Sequence, residues 1–300
     1  MDIQKLHLKI GPYEVFAIPT GIFGLDGGAM FGTVPKVLWE KTNPADGQNR
    51  IQMEARALLL RSADRNILID TGNGKDFVEK YGEKLGPKFA SLYGIEEGDT
   101  KATSLANSLV AAGLEVSDIT DVILTHLHFD HAGGATAFRD GKVQAQFPRA
   151  QYYVQAANLS TAQTPNIREK ASYLPANFEP LLQSGVLQTL DGAKTDLLPM
   201  ISVGVSNGHT RGQQWVKISD GNTTVIYCGD VIPTSTHVRL PFVMGYDLEP
   251  LTLIEEKRAI LEQAAAQNWY LYFEHDPYCD CAQVVQQGAD FALKARYQLT

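Results

Sequence analysis

Apolar and polar positions alternate from the start of the chain. Leu6, Leu8 and Ile10, then residues 15–18, 57–60 and 67–69, form short apolar or alternating runs bounded by Gly, Pro, Asp or Asn. Runs of that length and punctuation predict strands of one sheet. Between residues 103 and 112 the apolar positions Leu105, Leu109 and Val110 recur at helical spacing before Gly113, which predicts a helix and its stop. An apolar strand over residues 118–125 runs directly into His126. Residues 159–184 are mixed and read as helical in their later part, after which 202–205, 214–219 and 224–227 return to strand character around an Asp220-Gly221 hairpin turn. A helix over 251–267, a buried strand over 269–273 and a final hairpin about Gly288 complete the pattern.

That order predicts two β-rich halves with helices outside them, an α/β chain of the four-layer αββα sandwich type. A single domain over residues 1–300 accommodates it, since one large α/β core can absorb that length. Residues 21–50 break the pattern: they are rich in Gly and Pro yet hold Phe23, Met30, Phe31, Val37, Leu38 and Trp39. Loops beyond roughly 15 residues are commonly lids or partner contacts, and apolar ones must be covered. Met30, Phe31 and Trp39 are therefore expected to border a substrate pocket or to pack on a second copy of the chain. Phe242 and Met244 are candidates for the facing wall, with purely structural packing as the alternative for them.

Composition narrows the function classes. With 44% hydrophobic and 20% charged residues the chain is globular, and 26 Lys and Arg against 34 Asp and Glu leave a net charge of −8. No overall attraction draws it to nucleic acid or anionic lipid, and neither is expected as a partner. Cys228, Cys279 and Cys281 do not suggest a disulfide framework, and no apolar stretch approaches the roughly 20 residues of a membrane span. A soluble, cytoplasmic protein is the expectation.

The chemistry concentrates in His126-Leu127-His128-Phe129-Asp130-His131, where three of the seven histidines and a carboxylate fall within six residues. Such a pattern arises in roughly one of several thousand shuffled chains. Imidazole and carboxylate are ligands that zinc prefers besides thiolate, and an i, i+2 pair on extended chain points two imidazoles to one side. Asp130 and His131, after a bend, can face a second ion. Gly133-Gly134 lets the chain turn tightly afterwards. Three further residues follow predicted strands: His209 in Asn207-Gly208-His209, Asp230 in Cys228-Gly229-Asp230, and His275 in Glu274-His275-Asp276.

This ordered set, His-x-His-x-Asp-His followed by a glycine-flanked His, a Gly-Asp and a late His, resembles the metallo-β-lactamase superfamily over residues 54–277. Ile67-Leu68-Ile69-Asp70-Thr71-Gly72 is similar to the family's early strand, whose Asp braces the metal loops. In detail, Asp26 to Lys36 and Gly229 to Asp247 resemble the branch of quorum-quenching lactonases and methyl parathion hydrolase. The resemblance implies one zinc ion held by His126, His128 and His209, another by Asp130, His131 and His275, and Asp230 bridging both. It also implies a bridging hydroxide as nucleophile, with Asp130 in a secondary proton-transfer role. Nitrogen and oxygen ligands would suit Mn, Fe or Co as well.

Two positions depart from the pattern. Gln213 stands where many relatives carry a further His, and Pro233 stands where acyl-homoserine lactonases place a tyrosine. His237 is a candidate substrate contact in its stead. The expected function is hydrolysis of a small uncharged ester, a lactone ahead of a phosphotriester or thioester. Non-catalytic metal binding is the rival. Cys228, in an apolar run, reads as a core residue rather than a nucleophile.

Overall fold

The computed structural model describes residues 2–95 and 104–300, which divide into two compact units. One comprises residues 12–23 and 54–191 and is called here the His126 unit; the other, the His209 unit, comprises 1–11, 24–53 and 192–300.

The His126 unit is built on a sheet in which Leu187–Leu190, Gln151–Gln155, Asp121–Ile123, Asn66–Ile69, Arg50–Arg61 and Tyr13–Asp26 lie side by side in that order. Asn66–Ile69, Asp121–Ile123, Gln151–Gln155 and Leu187–Leu190 are mutually parallel. Parallel strands are covered on both faces, which is why Ile67, Leu68, Ile69, Val122 and Ile123 are all fully buried. The strand expected over 118–125 is shorter, because Val116–Asp118 forms a 3-10 turn and the chain leaves the sheet after Ile123.

Helix Leu105–Ala111 matches the periodicity, with the Ser104 side chain capping the Asn107 amide; Thr103, included in the expected helix, lies outside the described residues. Residues 159–184 are helical in their later part, as expected, in the 3-10 helix Pro175–Asn177 and helix Glu179–Gln183, and helix Ala156–Gln163 also occupies the beginning. Pro165 disfavours helix in the residue before it and so limits the first helix, while Pro175 and Pro180 stand in the first turn of the later two, where proline is tolerated.

Helix Phe77–Tyr93 is not legible in the periodicity, because Gly82, at φ 86°, kinks it and Pro87 sits inside it. Its aromatic residues Phe77, Tyr81, Phe89 and Tyr93 nevertheless fall at multiples of four. They stack into a ladder with ring centroids 4.9 to 5.8 Å apart.

The His209 unit has an eight-stranded sheet in the order Ile3–Leu6, Asp290–Leu299, Cys281–Gln287, Tyr270–Tyr272, Thr224–Tyr227, Gln213–Ser219, Ile201–Ser206, Lys194–Leu198. Thr224–Tyr227 and Tyr270–Tyr272 are parallel, and the crossover between them carries helix Pro250–Gln267. That helix buries Leu253, Ile260, Leu261 and Ala264, and with them Lys257. The Lys257 ammonium donates to the carbonyls of His237, Arg239 and Phe242 at 3.1, 3.0 and 2.8 Å, while burial lowers its pKa to about 7.

The aromatic residues and Met30 of residues 27–39 are covered within this unit, while Val37 and Leu38 remain exposed. Phe31 lies between Trp39 (centroids 5.3 Å apart) and His237 (4.7 Å), with Phe242 edge-on at 6.1 Å. Gly245 donates to the Ala29 carbonyl at 2.7 Å. Gly32, at φ 55°, is pressed so closely on this segment that a Cβ would lie 2.9 Å from the Val243 oxygen. Met30, Phe31, Trp39, Phe242 and Met244 are all buried. Trp39→Ala is accordingly expected to lower the unfolding free energy by about 3–5 kcal/mol, measured by denaturant titration, through the cavity it leaves.

Candidate metal centre

In the His126 unit two parallel strands, Asn66–Ile69 and Asp121–Ile123, finish side by side, and the segments that leave them are bonded to each other. Asp70, in the left-handed region at φ 55°, donates its amide to the Ile123 carbonyl at 3.0 Å. Its carboxylate accepts from the Thr125 amide and hydroxyl, both at 2.6 Å, and faces His131 Nδ1 at 3.0 Å. The Thr71 amide and hydroxyl both donate to the His131 carbonyl, at 2.8 and 2.7 Å. Gly133 and Gly134 fit only because they lack side chains: a Cβ on either would sit within 2.3 Å of the Asn73 or Thr71 carbonyl oxygen. Buried Lys80 secures the same turn by donating to the Gly133 carbonyl at 2.5 Å, its pKa lowered to about 7 by burial.

This scaffold presents the histidines to one another. His126 Nε2 and His128 Nδ1 are 3.0 Å apart, so the i, i+2 pair does converge. His131 has its Nδ1 against Asp70 and its Nε2 3.9 Å from an Asp130 oxygen. All four side chains from His126 to His131 named as ligands are buried.

The His209 unit repeats the device. Thr224–Tyr227 and Tyr270–Tyr272 are parallel, so the turn Gly229–Val231, with Asp230, and the segment bearing His275 emerge together. The Asp230 carboxylate lies 3.1 Å from His209 Nε2 and 3.3 Å from His275 Nε2. His209 Nδ1 is 2.9 Å from Asp247, whose other oxygen accepts the Met244 amide at 2.6 Å. Burial raises the Asp247 pKa, against the opposing pull of the His209 contact. The Gln213 side-chain oxygen accepts from the amides of Asp230 and Val231 at 2.9 and 3.0 Å, which gives this position a bracing role. Glu256 accepts from Ser206 Oγ and the amides of Asn207 and Gly208, fixing the approach to His209. The Pro233 carbonyl receives the His275 amide at 3.1 Å.

These contacts fit a cation. An imidazole whose Nδ1–H donates to a carboxylate keeps a lone pair on Nε2, and in His209 that lone pair faces a carboxylate oxygen. Two acceptors at 3.1 Å repel unless a proton or metal ion lies between them. His131 is oriented by Asp70 in the same manner, the arrangement typical of metal-ligating histidine. Separations of 3.0, 3.1 and 3.3 Å also approach the edge of a tetrahedron with metal–ligand bonds of 2.0–2.1 Å, about 3.3 Å.

Other expected residues fall elsewhere. His237 has both ring nitrogens engaged, Nδ1 with the Thr234 hydroxyl at 2.7 Å and Nε2 with the Met30 carbonyl at 2.8 Å, and burial lowers its pKa to about 3. It pins residue 30 to the turn Ser235–Val238, which leaves no ring nitrogen over for a substrate. Cys228 is fully buried in the apolar core beneath Asp230, its thiol pKa pushed up by desolvation, and Cys279 and Cys281 are buried too. Asp247 and Glu256 escape sequence reasoning because each acts from a distant point in the chain, and Thr125, though next to His126, because its partner Asp70 lies 55 positions away.

The sequence pattern of the metallo-beta-lactamase superfamily matches residues 54–275. A probable metallo-hydrolase of Mycobacterium tuberculosis is 28% identical over 249 residues, covering 76% of this chain and 73% of the relative. An N-acyl homoserine lactonase from a Bacillus species is 28% identical over 226 residues, covering 73% of this chain and 79% of that one. Among solved structures, a probable metal-dependent hydrolase from Staphylococcus aureus superposes with a TM-score of 0.85 at 29% identity, covering 97% of this chain and 98% of that chain. A dizinc quorum-quenching lactonase, AidC, superposes with a TM-score of 0.77 at 21% identity, covering 98% of this chain and 97% of that chain, a likeness of fold. With the motif residues buried at strand ends and the family pattern running from residue 54 to residue 275, the chain is a metal-dependent hydrolase that belongs to the metallo-beta-lactamase superfamily.

Proposed function

We propose that the protein hydrolyses a small uncharged ester, a lactone before a phosphotriester or thioester, at a centre of two zinc ions. The observation that carries this reading is His209, fixed at Nδ1 by Asp247 so that Nε2 meets the Asp230 carboxylate. In the proposed assignment His126, His128 and His209 hold one ion, Asp130, His131 and His275 hold the other, and Asp230 serves both. Bound there, the ions would activate water near neutral pH and polarise the ester carbonyl. The residues of the chain supply orientation. Asp70 and Asp247 fix which nitrogen of His131 and His209 is offered, and the Gln213 oxygen holds the Asp230 turn by two amides. Asp130 is assigned to carry a proton toward the leaving alkoxide.

The names of the Bacillus relatives support a lactone. A panel of lactones, phosphotriesters, thioesters and β-lactams, assayed with and without chelator, tests the reading. Lactones should give the highest kcat/KM, lost on chelation and restored by zinc. Faster turnover of a phosphotriester or thioester would move the substrate assignment, and no turnover of any ester by fully metallated protein would end it.

A further inference from the structure

The aromatic ladder of helix Phe77–Tyr93 does not stop within the helix. Phe89 meets Phe129 edge-on at 4.8 Å, and Tyr93, the last rung, lies against the same ring at 4.7 Å. Phe129 stands between His128 and Asp130 in the chain, so the ladder terminates on the histidine loop itself. Its lower rungs are core: Phe77, Phe89 and Phe129 are buried with Ala90 in one cluster. Tyr93 is only half-buried, and its hydroxyl can donate a hydrogen bond.

Four other tyrosines of this unit use their hydroxyls internally; the hydroxyl of buried Tyr13 does not. Tyr81 donates to Asn177 at 2.9 Å, Tyr152 to the Ala135 carbonyl at 3.1 Å and Tyr153 to Asp121 at 3.2 Å. The Tyr173 hydroxyl accepts from Asn158 at 3.2 Å. The Tyr93 hydroxyl makes no hydrogen bond to any described residue. A half-buried ring braced by Phe89 and Phe129, carrying a donor beside the histidine loop, is preorganised for a group from outside the chain.

We infer that Tyr93 is a substrate-binding residue, its ring forming an apolar wall for the alkyl part of an ester and its hydroxyl donating to an ester oxygen. The inference rests on the ester-hydrolase reading and locates the recognition wall beside Asp130 rather than on residues 30–39, whose rings are consumed in their own core.

Tyr93→Phe removes only the donor and preserves the ladder, so metal content and melting temperature should match wild type. Its kcat/KM for γ-lactones should fall about fivefold to tenfold, the loss of one hydrogen bond. Calorimetric affinity for the matching γ-lactams, which are not turned over, should fall by the same factor. Tyr93→Ala should in addition flatten the dependence of affinity on alkyl-chain length. Lactam affinity and kcat/KM of Tyr93→Phe both within about twofold of wild type, well short of one hydrogen bond, would reduce the residue to packing and overturn the inference. A metal-loaded wild type that binds lactams in a Tyr93-dependent way yet hydrolyses no ester would uphold the binding role and reject the ester-hydrolase reading. If the metal-loaded wild type neither binds lactams nor hydrolyses any ester, both fall.

Discussion

Asp230→Asn should lower kcat/KM for any ester by about a thousandfold and reduce the metal content of the purified protein. The carboxylate faces His209 Nε2 at 3.1 Å and His275 Nε2 at 3.3 Å, so two of the proposed ligand histidines converge on it. An amide of the same size removes the negative charge, and its NH2 cannot ligate. Loss of one preorganised electrostatic group typically costs two to three orders of magnitude in rate, and a charge proposed to serve two cations stands at the upper end. The fold should survive, because the turn Gly229–Val231 is held through backbone amides by Gln213 and not through the Asp230 side chain. Near-native circular dichroism with full activity would remove Asp230 from the chemistry.

Asp70→Ala should be strongly destabilising although Asp70 lies outside the proposed ligand set. The fully buried carboxylate accepts from the Thr125 amide and hydroxyl and orients His131. Without it, a buried amide loses its acceptor and two strand ends lose their cross-link. Unsatisfied buried groups cost about 1–3 kcal/mol each, which predicts a loss of about 3–5 kcal/mol in denaturant titration. His131 loses its fixed tautomer as well, and metal affinity should fall by about 10–100-fold, the usual scale for such supporting carboxylates. Asp70→Asn, which retains one acceptor oxygen, should recover part of the stability and little of the affinity. A wild-type affinity in both variants would show that His131 needs no orientation.

The elements that position this chemistry are legible where local sequence determines them. Strand Thr224–Tyr227 and helix Pro250–Gln267 follow from unbroken apolar periodicity, and the histidine cluster stands out because nothing in ordinary packing requires it. The features that escape are set by tertiary contact. Gly82 and Pro87 argue locally against the helix that contains them, yet stacking among Phe77, Tyr81, Phe89 and Phe129 outweighs that preference. Asp247 becomes partner to His209 across 38 positions of sequence, and the Asp70 contact to His131 spans 61. The composition of the segment holding Met30, Phe31 and Trp39 does announce a need for cover. Its cover is supplied by His237 and Phe242, far along the same chain, which no spacing could announce.

The dinuclear assignment meets its most direct test in stepwise zinc reconstitution of metal-free protein, with bound metal and lactone hydrolysis measured on the same samples. Activity should be absent without metal and reach its plateau at about two equivalents per chain, because the proposed ligands divide into two sets of three about Asp230. A plateau reached at one equivalent, or hydrolysis that persists in the metal-free protein, would contradict it.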